Sequence, residues 1–126
     1  MNKTRKTKKT VPTQYLVRPK MPKIPRTFIN HDRVRLLLYH LVDEFDYEER
    51  QALYFYCYLD DVSVSEIAEK VELSQLHVLS VLTLYSERLT SKLNFLKKAV
   101  PYDANDLLPV SEILVEQSVQ YVDDLM

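Results

Sequence analysis

None of the 126 residues of this chain is glycine. Glycine enters the left-handed backbone region without steric cost, and tight hairpins depend on it. A chain lacking it must turn on Asn, Asp, Ser, Pro or a tolerated side chain at positive φ. That favours helices with simple connections over hairpin-rich sheets. The length suits one domain, and an apolar share of 46% allows a modest core.

The formal net charge of −1 conceals an asymmetry. Residues 1–30 hold nine of the 17 basic residues and no acidic one, whereas the rest holds eight basic and all 18 acidic residues, a formal −10. Residues 1–26 also contain four of the six prolines and little apolar material, so they read as a disordered basic arm. Such an arm is drawn to phosphates or to an acidic surface, or simply solubilises the chain; the acidic body is repelled by nucleic acid. The single cysteine, Cys57, permits no internal disulfide and suits a reducing compartment. No run of about 18 apolar residues occurs, so a soluble, cytoplasmic protein away from membranes is expected.

Helical periodicity begins in VRLLLYHLVDEF, where Val34, Leu37, Leu38, Leu41, Val42 and Phe45 share a face. Asp46 with Glu49 forms a capping-box start for DYEERQALYFYCYLDD. Its aromatic run has strand propensity, but the cap and the flanking helix formers favour helix. Ser63 with Glu66 opens a short helix, Glu72-Leu73 makes a turn, and Ser74 caps a long helix from about Gln75 to Lys98 that Pro101 stops. The loop PYDANDLLP leads to a last helix whose stripe, from Val110 to Leu125, must bury against something.

Within residues 62–78, small Ala68 lets two helices approach closely, while Ile67, Val71, Leu73 and Val78 fill the space under the turn. This spacing is that of a helix-turn-helix, in which the second helix enters the major groove. The stretch from Val34 to Leu93 resembles the fourth conserved region of bacterial RNA polymerase sigma factors. S-x-x-E-I-A-E, L-S-x-x-x-V and the closing Leu89 and Leu93 carry the resemblance, with EERQALYFYCYLDDVS in place of that family's lead helix. More distantly the chain is similar to LuxR-type helix-turn-helix proteins. It departs from the pattern where the family is basic, carrying Leu79 and Val81 there, and Glu72 stands where the family prefers glycine. No region resembling the part of a sigma factor that grips the polymerase core is visible, so a complete sigma factor is not expected.

The expected fold is therefore all-α: about five helices around a helix-turn-helix, with residues 1–26 as the arm, 27–100 as the domain and 101–126 as a loop and packing or dimerisation helix. By the resemblance, the chain is expected to be a transcription regulator that binds double-stranded promoter DNA and contacts RNA polymerase. Ser74, Gln75, His77, Ser80 and Thr83 would meet the groove, with Arg88, Lys92 and the arm residues Lys3, Arg5, Lys6, Lys8 and Lys9 on phosphates. The competing expectation rests on the nearly all-apolar QLHVLSVLTLY. There the motif no longer reads DNA, and Leu79, Val81 and Leu84 bind a second copy, a sigma factor or a polymerase subunit. The three histidines have no Cys or His neighbour at ligand spacing, so no metal is expected. No nucleophile motif, phosphate loop or framed carboxylate pair occurs, so neither an enzyme nor a cofactor is expected.

Overall fold

The computed structural model describes residues 19–59 and 61–114. The protein is all-helical apart from one two-stranded ribbon. The elements are β1 (Ile24–Pro25), α1 (Arg26–Ile29), α2 (Asp32–Tyr39), a 3₁₀ turn (His40–Val42), α3 (Tyr47–Tyr58), α4 (Val64–Val71), α5 (Gln75–Ala99) and β2 (Leu107–Leu108). Residues 111–114 are helical again.

The helix starts follow from local chemistry. Asp46 accepts from the Glu49 amide while Glu49 accepts in return from the Asp46 amide, and Ser63 and Glu66 repeat the arrangement at α4. Ser74 caps α5 by accepting from the His77 amide at 3.0 Å. Each cap satisfies amides that would otherwise lack an intrahelical partner, worth about 1 kcal/mol apiece. At the other end of α4, Glu72 takes φ 61° and ψ 41°. Among the described residues it alone has positive φ, so the other turns there use ordinary backbone.

Helices α3, α4 and α5 pack against one another as a three-helix unit, with α2 and the 3₁₀ turn against α5. The aromatic run of α3 is helical because it is interior: Ala52, Leu53, Tyr54, Phe55 and Tyr56 are all buried, so the segment shows no apolar stripe. α4 contributes Val64, Ile67, Ala68 and Val71, and α5 contributes Val78, Val81, Leu82, Tyr85, Leu89, Leu93 and Leu96. Fully burying such side chains contributes about 1.5–3 kcal/mol each, far more than any exposed ion pair here. In α2 the inward residues are Val34 and Leu38, followed by Val42 and Phe45. Leu37, expected to point inward, is 47% exposed.

The boundary expected at residue 26 lies too late in the chain. Ile24 is fully buried, and β1 pairs antiparallel with β2, Ile24 opposite Leu108 and Pro25 opposite Leu107. Arg26 donates its amide to the Asp106 carbonyl at 2.8 Å and its Nε to the Asp106 carboxylate at 2.9 Å. Upstream, the Pro19 carbonyl accepts from the Tyr56 hydroxyl and the Lys20 carbonyl from Ser86 Oγ. Residues 19–26 are therefore held by the body, and residues 1–18, including Lys3, Arg5, Lys6, Lys8 and Lys9, lie outside the described residues. In the C-terminal stripe Val110, Ile113 and Leu114 are buried, while residues 115–126 lie outside the described residues. Val110 lines a cleft with Met21, Tyr56 and Cys57, so this helix starts on the α3 side of the body.

Candidate partner-binding surface on the long helix

The turn Glu72-Leu73-Ser74 sets the start of α5, and the core residues set its rotation. Val78, Leu82, Tyr85, Leu89, Leu93 and Leu96 face inward, which leaves Leu76, Ser80, Thr83 and Glu87 near the centre of the outward face. This is the face that a helix-turn-helix offers to its target.

The expected DNA contacts fall into two groups. Ser80 and Thr83 are exposed on the outward face. The others are engaged within the molecule. Ser74 Oγ caps the helix, Gln75 Nε2 donates to Ser65 Oγ at 3.3 Å, and His77 Nε2 lies 2.8 Å from Glu49 Oε2. Further along, Arg88 Nε lies 2.7 Å from Glu44 Oε2, and the Lys92 ammonium sits 5.9 Å from the centre of the Phe95 ring. Exposed pairs of this kind contribute about 1 kcal/mol or less, so they weaken the DNA reading without abolishing it. The apolar residues around them bear on it more.

Of the three expected partner-binding residues, Leu84 is 38% exposed and Leu79 is half-buried at the surface. Val81 is 3% exposed and belongs to the core, so it does not meet a partner. In a helix apolar nearly all round, the sequence alone did not reveal which side faced inward. Leu76, at 55% exposure, and Phe95, at 64%, complete the surface and were not among the expected site residues. Leu76 opens the apolar stretch, whereas Phe95 lies beyond its end at Tyr85 and is placed on the surface only by the rotation of α5.

These residues line two adjoining shallow depressions. One is bordered by Leu76, Leu79, Ser80 and Thr83, the other by Leu41, Arg88, Ser91, Lys92 and Phe95, and both share Leu84 and Glu87. Leu37, one helical turn before Leu41, extends the apolar margin. Lys20 is held on the other side of α5. Ser86, which holds Lys20, is nine residues from Phe95, about two and a half turns, and so lies diametrically opposite it.

Two groups have shifted protonation. Hydrogen bonds from the Ser63 backbone amide and then the Ser63 hydroxyl, with a lesser contribution from Lys70, hold the Glu66 carboxyl below its ordinary 4.5. Burial, then nearby Cys57 and Tyr54, pushes the Tyr85 phenol far above its ordinary 10.0. Its hydroxyl is buried and has no hydrogen-bond partner among the described residues. Neither group lies on the outward face.

Among the described residues, no three His, Cys, Asp or Glu side chains converge as metal ligands, and no helix is long and apolar enough to cross a membrane. No family model, curated protein or solved structure matches the chain.

Proposed function

We propose that this chain is a helix-turn-helix interaction protein whose long helix meets protein rather than base edges. The observation that carries this reading is the outward face of α5. Where a DNA reader presents Arg, Lys, Asn or Gln, this face presents Leu76, Leu79 and Leu84 beside Glu87. An exposed apolar strip with a polar rim is the ordinary mark of a protein-binding surface. The resemblance to sigma region four directs the search for partners to RNA polymerase subunits and sigma factors, besides a second copy of the chain.

A second reading keeps its own support. Nine cations and no anions in residues 1–30, with Ser80 and Thr83 exposed on the recognition helix, favour a regulator of promoter DNA. Electrophoretic shift of promoter and random duplexes separates the two, using the full chain and a chain lacking residues 1–18 at two salt concentrations. Under the protein-binding reading, all DNA binding is salt-sensitive, indifferent to sequence and lost with the arm. Sequence-specific binding that survives removal of the arm overturns it.

A further inference from the structure

We propose that Cys57 is a site of reversible oxidation, where a hydroperoxide converts the thiol to a sulfenic acid that the Tyr85 hydroxyl holds by a hydrogen bond. The site lies away from the outward face of α5 and does not depend on what meets that face. Tyr54 and Cys57 are three residues apart on α3 and so share a face of that helix. That face meets Tyr85 of α5, since both residues lie close enough to its phenol to disfavour its ionisation, after burial itself. Tyr85 is fully buried, with its ring edge-on to Phe45. Its hydroxyl has no hydrogen-bond partner among the described residues, the Cys57 sulfur included. A buried polar group kept in that state costs stability, and a partner acquired during function accounts for its presence.

Cys57 also has a side open to solvent. It is half-buried and lines a cleft of about 190 Å³ between residues 21–23 and 109–111. The sequence neighbours of the pair fix one wall of that cleft. Tyr56 donates its hydroxyl to the Pro19 carbonyl, and Ser86 donates Oγ to the Lys20 carbonyl at 3.0 Å, so the segment starting at Pro19 crosses the seam between α3 and α5. A small oxidant can therefore reach the sulfur from the cleft, while the Tyr85 hydroxyl lies on the core side. The thiolate is the reacting form. Its sulfur attacks one peroxide oxygen, the S–O bond forms as the O–O bond breaks, and the departing alkoxide or hydroxide takes up a proton. Sulfur loses two electrons and the peroxide gains them. The new oxygen, one bond beyond the sulfur, accepts from the Tyr85 hydroxyl. A thiol reverses the step by forming a mixed disulfide and water, and a second thiol then releases Cys57.

Treating the full chain with hydrogen peroxide and then with dimedone, which captures sulfenic acids, tests the site. Peptide mapping is expected to place the adduct on Cys57, with none formed by Cys57→Ser and none after dithiothreitol is added between the two reagents. Tyr85→Phe keeps the ring and removes only the hydroxyl. It is expected to shorten the lifetime of the sulfenic acid, read by delaying the dimedone, about 10-fold, roughly the worth of one hydrogen bond. Melting temperature gives a second readout: oxidation should cost the parent less than it costs Tyr85→Phe, because only the parent gains the bond. Absence of the adduct from Cys57 overturns the proposal. So does a sulfenic acid that lives as long in Tyr85→Phe as in the parent, the variant being shown to be folded by its own melt.

Discussion

His77 Nε2 stands 2.8 Å from Glu49 Oε2, fastening the first turn of the long helix to the first turn of α3. The other Glu49 oxygen accepts from the Asp46 amide at 3.0 Å, so one carboxylate serves both a cap and a bridge between helices. The His77 side chain is 43% exposed, which limits what the bridge contributes. His77→Ala is expected to cost less than about 1 kcal/mol in urea unfolding. Glu49→Ala, which also loses the returning half of the capping box while the Asp46 cap on the residue 49 amide remains, is expected to cost about 1 kcal/mol.

Tyr85 carries a buried hydroxyl with no partner among the described residues, and its ring centroid lies 6.4 Å from that of Phe45. Tyr85→Phe removes an unsatisfied polar atom and keeps the ring, so a gain of about 1 kcal/mol is expected. Tyr85→Ala leaves a cavity instead and is expected to cost about 3–5 kcal/mol. Thermal melts of the two variants should move in opposite directions.

Glu72 holds φ 61° at the end of α4 without being glycine. A side chain there costs about 1 kcal/mol, so Glu72→Gly or Glu72→Asn is expected to raise the melting temperature by a few degrees. Glu72→Val is expected to lower it, because a β-branched side chain fits that backbone region worst.

The Glu66 carboxyl is held below 4.5 by the Ser63 amide and hydroxyl. A lowered folded-state pKa means that the stabilisation is present above the unfolded value and is lost as pH falls through the folded one. Glu66→Gln keeps an acceptor for the Ser63 amide but has no proton to bind. Below pH 4.5 the variant should therefore lose stability less steeply than the parent, as read from urea midpoints at neutral and acid pH.

The parts of this fold that depend on neighbouring residues were legible in the sequence. The caps at Asp46, Ser63 and Ser74 are signals within four residues, and the Glu72 turn follows from the absence of glycine. The parts that depend on distant residues were not. Ile24 sits in a proline-rich, basic stretch, and nothing near it announces that Leu108 is its strand partner. Arg26 and Asp106, which reinforce that ribbon, are 80 residues apart. Leu37 looked inward because the α2 pattern allows a broader stripe than the core uses. Val81 and Leu84 looked alike in sequence, and only the packing of Val78, Leu82 and Tyr85 shows that one is core and the other surface. Phe95 was legible only once the rotation of α5 was known.

The most direct test asks whether α5 reads DNA at all, whatever the target. Repeated selection of randomised duplex DNA by the full chain, followed by sequencing of the bound pool, works without a candidate site. The expected result is no enriched motif and only the salt-sensitive retention that a basic arm confers. A reproducible motif that disappears with Ser80→Ala and Thr83→Ala would contradict the assignment of the outward face to protein and make it a DNA-reading surface.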